Sequence, residues 1–291
     1  DKEGEKFLAL NIKNKIPYSI HDAINVKSDS QGSSFQIGKT IIYSKLPGTF
    51  NVYNMLGATA CAKFLKIGDE SIKKGLENLK FVRGRMEKVD CGQSFDVVVD
   101  YAHTPDSLRA AYESYAPRLT TTKSRVLTSS QEEKKQNPKN YKKENDSDLP
   151  KKDGGYYLIG ILGNTGGGRD KWKRKEMGKI ADEYCDQIIL TNEDPYDEDP
   201  KKIVEEMKEA IVNKPVEIIM DRREAIHKAL QLAQIKTKEL ASEQKENNVN
   251  KKVAVLITGK GTDPYIMEAN GKKIPWDDVT VVREEIAKYF E

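Results

Sequence analysis

Five short runs rich in valine and isoleucine constrain the fold of this chain more than any other feature. The runs are FDVVVDY, YYLIGILG, DQIILT, VEIIM and VAVLIT. Continuous apolar runs of this length are typical of strands that are buried on both faces. The segments between them have helical apolar spacing, with helices predicted near 105–117, 172–184, 200–212 and 222–235. Buried strands that alternate with amphipathic helices predict a parallel α/β sheet.

The first 84 residues follow a different pattern. Apolar and polar residues alternate in FLALNI, SSFQIG and TIIYSKL, which predicts short antiparallel strands up to about residue 50. From Asn51 the spacing becomes helical, and a second helix is predicted at 72–79 after a break at Gly68. We therefore expect a domain boundary near Gly84, with one domain at 1–84 and another at 85–291.

Two charged segments interrupt the alternation of strands and helices. One is rich in Lys, Asn, Ser and Glu and covers about 120–153, and a shorter one covers about 236–252. Composition of this kind predicts mobile surface insertions. A passive loop and a partner-binding loop both remain open, and we assign neither segment a function.

Charge and composition argue against several classes of protein. Lys and Arg total 49 against 46 acidic residues, and the charges are interspersed, so nothing indicates nucleic-acid binding. No apolar run reaches the roughly 18 residues of a membrane span, so we expect no membrane contact and a cytoplasmic location. Cys61, Cys91 and Cys185 lie far apart, which favours a reducing compartment over a disulfide framework or a zinc site.

Ligands of open parallel sheets bind at the carboxyl ends of the strands, so the residues there are the first candidates for a site. Asp100 closes the first buried strand, and Thr104 and Pro105 open the next helix. An aspartate at this point can accept hydrogen bonds from ribose hydroxyls, or it can hold a turn.

The second strand end runs into three glycines, Gly166 to Gly168, followed by Arg169. Glycines allow backbone N–H groups to converge on an anion, and a guanidinium matches the geometry of a carboxylate. The loop therefore predicts a seat for a carboxylate or phosphate, with a simple glycine turn as the alternative.

Acidic residues and another glycine turn mark two further strand ends. Residues 197–199 fit the negatively charged start of a helix, so we interpret them as mostly structural. The residues before them lie at the carboxyl end of the strand, where they can contact the amine of a ligand. The candidates at these two ends are Glu193, Asp194, Tyr196, Gly259 and Asp263.

The triplet Gly38-Lys39-Thr40 resembles the end of a phosphate-binding loop, but its context argues against that function. The preceding Gly32 is one residue too far for G-x-x-x-x-G-K-T, and both flanks are predicted strands, so we expect a hairpin. No other segment supplies such a loop. The chain is therefore expected to lack the grip on the β and γ phosphates of a nucleotide.

Seven motifs together resemble the Mur ligase family, in particular its members that add the third amino acid of the peptidoglycan stem peptide. They are LPGTFNVYN, VRGRME, VVDYAHTPDSL, GNTGGGRDKWKR, TNEDPYDEDP, DRREAI and ITGKGTDPY. The resemblance covers nearly the whole chain except the two insertions. It implies an α/β fold in which a Rossmann-like C-terminal domain follows the second part of the central, ATP-binding domain.

The resemblance also implies residue roles. Asn51 and Asn54 would lie near the adenine side of the nucleotide, Arg85 would act catalytically at its terminal phosphate, and Asp100 would bind ribose. ATP with magnesium would phosphorylate the carboxylate of a UDP-linked muramoyl dipeptide, and the amine of the incoming amino acid would then attack the acyl phosphate. Arg169 would hold the α-carboxylate of that amino acid.

Departures from the family pattern shape two further expectations. The family's UDP-binding domain, phosphate-binding loop, metal-binding acid and modified lysine would all precede Asp1. We therefore expect an incomplete chain that is inactive alone, with the magnesium ligands mainly outside it.

Members that select meso-diaminopimelate show DNPR and GKGHE, whereas this chain has EDPY and GKGTD. An acidic mouth of Glu193, Asp194 and Asp263 would suit a side chain that ends in an ammonium group, such as lysine or ornithine.

Two other functions stay open. One is a related ligase on the same scaffold, such as the enzyme that adds the D-Ala-D-Ala unit or a folylpolyglutamate synthase. The other is a non-catalytic binding module that keeps the amino-acid-binding domain. Coding sequence upstream of Asp1 distinguishes them, because a ligase needs the phosphate-binding loop.

Overall fold

The computed structural model describes residues 2–115, 155–168, 170–247 and 251–289. Its helices are α1 (Lys2–Ala9), α2 (Thr49–Phe64), α3 (Asp69–Asn78), α4 (Pro105–Glu113), α5 (Trp172–Tyr184), α6 (Pro200–Lys208), α7 (Arg222–Asn247) and α8 (Asp278–Tyr289). Its strands are β1 (Ile24–Asp29), β2 (Gly32–Ile37), β3 (Thr40–Ser44), β4 (Glu87–Lys88), β5 (Asp96–Asp100), β6 (Tyr156–Leu162), β7 (Gln187–Leu190), β8 (Val216–Ile218), β9 (Lys252–Thr258), β10 (Tyr265–Met267) and β11 (Lys273–Pro275).

The first three strands form an antiparallel sheet with one face covered by helix α2. Phe35 and Ile42 point to that face and pack with Val52 and Met55 of the helix. Ile37 pairs with Thr40 across a two-residue turn, which confirms the hairpin predicted at Gly38-Lys39-Thr40. Residues 38–40 therefore belong to a sheet and not to a phosphate-binding loop.

The strand predicted at FLALNI is wrong, because α1 includes Phe7 and Leu8. Both side chains are exposed, so no packed layer selects alternate residues of the segment for burial. A strand also needs a neighbour for its backbone hydrogen bonds, whereas a helix satisfies them within the segment. Lys and Glu residues, which favour helices, precede the apolar pair and add to that preference.

The large sheet has the strand order β4-β5-β9-β6-β7-β8. Neighbours from β5 to β8 pair in parallel, and β4 adds a short antiparallel edge. Helices α4, α5 and α6 bury their apolar side chains on one face, and α7 and α8 on the other. The expectation of a parallel, Rossmann-like α/β sheet is confirmed.

The segment predicted as a surface insertion at 236–252 is mostly helical. Helix α7 continues to Asn247, and β9 begins at Lys252. Leu240 continues the buried stripe of the helix, and Lys236 pairs with Glu239 three residues away. Lys and Glu are good helix formers, so a polar composition alone did not distinguish loop from helix here. The insertion predicted near 120–153 lies outside the described residues.

Hydrogen bonds join the two sheets at the edge where β5 and β6 begin. The Ser30 and Tyr156 hydroxyl oxygens lie 2.9 Å apart, and the Tyr156 hydroxyl donates to Asp96 at 2.9 Å. The opposite, carboxyl edge of the large sheet is left for other contacts. No helix in the described ranges combines the length and the apolar character needed to cross a membrane.

The core under α4 and α5 leaves no space for a side chain at Gly160 in strand β6. A Cβ there would lie 2.6 Å from the Cys185 sulfur and 2.9 Å from the Tyr112 hydroxyl. We expect Gly160→Ala to lower the free energy of unfolding by about 1–3 kcal/mol, as overpacked cores do. The measurement is urea denaturation followed by circular dichroism.

Gly155→Ala is the matched control, because a Cβ at that residue would meet no atom of the described residues within 4 Å. Its unfolding midpoint should stay close to that of the parent protein. Equal stability of the two variants would contradict the packing described for Gly160.

Candidate active site at the carboxyl edge of the large sheet

The loops that follow the parallel strands meet at the carboxyl edge of the large sheet. They carry most of the residues predicted from the sequence, since β5 ends at Asp100, β7 leads into residues 191–199 and β9 into residues 259–263. Arg169, in the loop after β6, lies outside the described residues, so its contact with an α-carboxylate stays a prediction.

Glu193 carries a buried carboxylate that is only partly satisfied. Thr165 Oγ1 donates to Glu193 Oε1 at 3.1 Å, and Oε2 has no hydrogen-bond partner among the described residues. Burial raises the pKa of the Glu193 carboxyl, and the charges of Arg222 and Lys260 oppose that rise. A buried acceptor without a donor is costly, so this oxygen is suited to an N–H group from a ligand.

Gly259 makes room for that carboxylate. Its φ is +105°, and a Cβ at this residue would collide with Glu193 Oε2. Glycine is the residue that combines this backbone conformation with so close an approach. The predicted candidates Glu193 and Gly259 are therefore brought together, although 66 residues separate them in the chain.

Asp194 is paired with a buried cation, Lys260, that the sequence pattern does not indicate as a site residue. Lys260 Nζ lies 2.8 Å from both carboxylate oxygens of Asp194 and 3.3 Å from Asp263 Oδ2. It also donates to the carbonyl of Tyr265. The predicted acidic mouth of Glu193, Asp194 and Asp263 thus contains an internal positive charge. The GKG motif predicts a backbone turn, and nothing in its spacing indicates where the lysine side chain points.

Arg222 is a second buried cation that sequence reasoning missed as a site residue. Its Nε and Nη2 each donate to Asp278 at 2.8 Å, and Nη2 also donates to the Thr258 carbonyl at 2.9 Å. Nη1 reaches the Asn192 carbonyl at 3.3 Å. One guanidinium therefore ties the loop after β7 and the end of β9 to helix α8.

Tyr196 lies half-buried over the glycine loop. Its φ is +50°, and its N–H donates to the Met267 carbonyl at 3.0 Å. A Cβ at Gly167 would lie 3.5 Å from the Tyr196 ring, so the ring covers that glycine. The tyrosine is placed beside the predicted amino-acid site, and its contact with a substrate stays a prediction.

Two backbone N–H groups of the glycine loop already donate hydrogen bonds to acceptors within the protein. Gly166 donates to the Asp194 carbonyl at 2.7 Å, and Gly168 donates to Glu198 Oε1 at 2.6 Å. These two groups therefore do not form the predicted anion seat, and for them the simple turn is the better interpretation. The loop is fixed because its donors find acceptors on the neighbouring β7 loop.

Residues 197–199 have the structural contacts expected of them. Asp197 Oδ1 accepts the Asn270 N–H at 2.8 Å, and Asp199 caps α6 by accepting the Lys201 N–H. Glu198 pairs with Lys171 and the buried Arg174. These acids hold loops and helix ends in place.

Asp100 joins two loops by accepting a backbone N–H from each of them. Its Oδ2 accepts the Met86 N–H and its Oδ1 accepts the Ala102 N–H, both at 2.7 Å. Burial raises the pKa of Asp100, and these two N–H groups oppose the rise. The structural alternative for Asp100 therefore has direct support, and its contact with ribose stays a prediction.

Arg85 lies next to this turn, with its guanidinium 4.6 Å from the centre of the Tyr101 ring. The arginine is exposed, and its contact with a phosphate stays a prediction. Asn51 and Asn54 lie on helix α2, which packs on the small three-stranded sheet. Asn51 donates to the Pro47 carbonyl at 2.7 Å and accepts from Asn54 at 3.4 Å. The structure thus groups Arg85 with Asp100, and it shows the two asparagines bonded to each other.

A metal site is not formed by the described residues, among which no group of three His, Cys, Asp or Glu side chains is arranged to hold an ion. The carboxylates at the edge already have other partners: Asp194 is paired with Lys260, and Asp100 accepts two backbone N–H groups. We assign no described residue to magnesium.

Glu198 gives this edge of the sheet a testable pH dependence. Burial alone would raise its pKa, but the Gly168 N–H, Lys171 and Arg174 lower it from the ordinary 4.5 to about 2. The carboxylate therefore stabilises the fold above pH 4.5, and this contribution is lost as the pH falls through 2. We expect Glu198→Gln to cost about 1–2 kcal/mol of unfolding free energy at pH 7.

The measurement is chemical denaturation of both proteins between pH 7 and pH 2, in which the difference should shrink below pH 4.5. Glu209→Gln is the control, since Glu209 forms an exposed pair with Lys175, and the substitution should leave the unfolding free energy almost unchanged. A constant difference across the pH range would contradict the assigned role of Glu198.

Residues 151–261 match the family described as Mur ligase, glutamate ligase domain. The chain is 31% identical to a UDP-N-acetylmuramoyl-L-alanyl-D-glutamate--2,6-diaminopimelate ligase of Caldanaerobacter subterraneus over 99% of its length, covering 51% of that protein. It is 32% identical to the enzyme of the same name from Bacillus licheniformis, over 98% of the chain and 50% of the relative. The chain thus spans about half the length of these curated relatives.

Solved structures show the same relationship. A structure of a UDP-N-acetylmuramoyl-L-alanyl-D-glutamate--2,6-diaminopimelate ligase matches 97% of this chain and 47% of its own, with a TM-score of 0.53 and 26% identity. Taken together, the family match, the two curated relatives and this structure show that the chain is similar to Mur ligases along nearly its whole length, with residues 151–261 matching their glutamate ligase domain.

Proposed function

We propose that this chain is the amino-acid-binding part of an ATP-dependent ligase that adds a diamino acid to UDP-N-acetylmuramoyl-L-alanyl-D-glutamate. The names of the similar enzymes support the reaction class and the acceptor. The structural observation that carries the proposal is Glu193 Oε2, a buried acceptor without a hydrogen-bond partner among the described residues, at the edge of the sheet where ligands bind.

The two sheets are proposed to have different functions. Residues 85–291 form the amino-acid-binding domain, and residues 1–84 are the second part of the central domain that holds the nucleotide. Formation of an amide from a carboxylate requires activation, which ATP supplies by phosphorylating the acceptor. The protein then has mainly to hold the attacking amine and the acyl phosphate in line. UDP-linked precursors and ATP are cytoplasmic molecules, and we place the protein there.

We assign the binding roles as follows. Arg169 holds the α-carboxylate of the incoming amino acid, and Glu193 accepts a hydrogen bond from its side-chain amine. Gly259 allows that contact because it lets Glu193 approach the backbone of the β9 loop. Arg85 neutralises charge on the transferring phosphoryl group, and Asp100 lies beside the ribose of the nucleotide. Asn51 and Asn54 lie on the adenine side.

The direct test uses the protein as expressed from its natural coding sequence, with ATP, magnesium, the UDP-linked dipeptide and either lysine or meso-diaminopimelate. We expect one ADP for each new amide, and a product whose mass has grown by one amino acid less water. Mass spectrometry and coupled ADP release measure the two quantities. Product formed only with D-Ala-D-Ala or with a folate acceptor would replace the proposal by a related ligase.

Glu193→Gln tests the amine contact. The amide keeps the size of the side chain but removes its negative charge, so we expect the KM for the diamino acid to rise about 10- to 100-fold, equivalent to about 1.4–2.8 kcal/mol. The KM for ATP should stay within about twofold, and kcat at saturation should change much less than KM. Steady-state kinetics with each substrate varied in turn gives these values.

Glu205→Gln is the matched control, because Glu205 is exposed on helix α6. It should behave as the parent protein does. If Glu193→Gln left the KM for the diamino acid unchanged, the assigned contact with the amine would be wrong even if the ligase reaction itself were observed.

A further inference from the structure

Arg85 lies in a tight turn, between two residues whose backbone is left-handed. Gly84 has a φ of +62° and Met86 has a φ of +48°. This conformation is ordinary for a glycine, but a methionine rarely adopts it, and it persists only where the surrounding structure holds it in place. The turn therefore needs contacts that keep it in this shape.

Hydrogen bonds to the backbone of the turn supply such contacts. Glu87 Oε2 accepts the Gly84 N–H at 2.7 Å, and Asp100 Oδ2 accepts the Met86 N–H at the same distance. The Arg85 N–H donates to a carbonyl within the turn at 3.0 Å. Both carboxylates are buried, and a carboxylate makes a stronger hydrogen bond than a neutral acceptor does. Three successive N–H groups of the turn are thus satisfied.

Packing fixes the turn on both sides of Arg85. The Met86 side chain is buried in the core under α4 and α5. Gly84 lies so close to the β9 loop that a Cβ there would be 2.7 Å from the backbone of Gly261. The Arg85 side chain, in contrast, is exposed. The turn therefore presents one exposed cation on a fixed backbone.

From this arrangement we infer that Glu87 is a positioning residue, which holds Arg85 in place for phosphoryl transfer through its hydrogen bond to Gly84. Without that bond the turn relaxes, and the guanidinium moves away from the transferring phosphoryl group. A shift of about 1 Å can slow a reaction that depends on positioning about 100-fold. The inference rests on the proposed function and deepens it, because it adds a residue that acts through Arg85.

Glu87 is a better residue for the test than Asp100. Asp100 also accepts the Ala102 N–H at 2.7 Å and has a proposed contact with ribose, so its substitution would have several effects at once. Glu87 lies on strand β4, where its residue pairs with Val99 of β5. A change of its side chain leaves that backbone pairing available.

Two substitutions separate the reach of the Glu87 side chain from its charge. Glu87→Asp keeps the charge but is one methylene shorter, so its carboxylate no longer reaches the Gly84 N–H. We expect kcat to fall about 10- to 100-fold. Glu87→Gln keeps the length and an oxygen that can accept this N–H, although more weakly, so kcat should fall only about two- to fivefold. The KM for ATP should stay within about twofold in both, since Arg85 is proposed to act on the transferring group.

Steady-state kinetics gives these values for the protein expressed from its natural coding sequence. The assay contains ATP, magnesium, the UDP-linked dipeptide and whichever of lysine and meso-diaminopimelate the parent protein incorporates. Glu285→Asp is the matched control, because Glu285 is a similarly buried glutamate whose carboxylate binds Arg223 on the α7 and α8 face. It should leave kcat unchanged. Unchanged kcat in Glu87→Asp would overturn the inference.

The Arg85→Ala background separates positioning from a general structural role. If Glu87 acts through Arg85, the double variant Arg85→Ala with Glu87→Asp is as active as Arg85→Ala alone. A further loss of kcat in the double variant, of the size seen in the single variant, overturns the inference.

Glu87→Gln decides the matter if Glu87→Asp does not fold. A two- to fivefold loss of kcat that disappears in the Arg85→Ala background supports the inference, and either no loss or an equal loss in both backgrounds overturns it. A parent protein that forms no product overturns the proposed function together with the inference. Product formation by the parent protein without the expected effects of the Glu87 variants overturns the inference alone.

Discussion

The buried ion pair between Arg222 and Asp278 is the interaction on which the carboxyl edge of the large sheet depends. Both side chains are almost completely inaccessible to solvent, and the guanidinium also binds the carbonyls of Thr258 and Asn192. Loss of one partner of such a pair leaves an uncompensated charge in the interior, which costs far more than the pair contributes while intact. The positions of the β7 and β9 loops, and with them Glu193 and Gly259, are therefore tied to helix α8.

The charged groups at this edge differ in how completely they are paired. Arg222 is compensated by Asp278, Lys260 is shared between Asp194 and Asp263, and Arg174 is shared between Glu198 and Glu206. For this reason the acidic residues predicted at this edge do not form an exposed, negatively charged surface. Glu193 Oε2 has no partner among the described residues, as is also true of the buried Asn164 Oδ1 and Thr191 Oγ1 near the same edge. Of these acceptors, Glu193 Oε2 belongs to a carboxylate, which is the group best suited to a ligand amine.

The sequence predicted the large sheet well and the N-terminal region less well. Runs such as VAVLIT are apolar on both faces, which a strand in the middle of a parallel sheet requires and few other structures tolerate. FLALNI offered a weaker signal, because its apolar residues are exposed and local helix preference prevailed. The α7 extension was missed for the opposite reason: its sequence is polar, yet Leu240 continues the buried stripe of the helix. Composition distinguishes a loop from a polar helix poorly when the buried stripe is narrow.

By itself the sequence determined the five parallel strands of the large sheet and the four helices that alternate with them, and hence which residues gather at its carboxyl edge, because both follow from short-range patterns and from the rule that parallel strands end together. It placed Asp100, Glu193, Asp194 and Gly259 at that edge. The tertiary structure alone decided how these groups are paired. Lys260 lies 66 residues from Asp194 in the chain, and Arg222 lies 56 residues from Asp278. Such pairings depend on the relative position of loops from different strands, which no local pattern specifies, since a charged side chain forms its buried contacts only after the elements around it have packed.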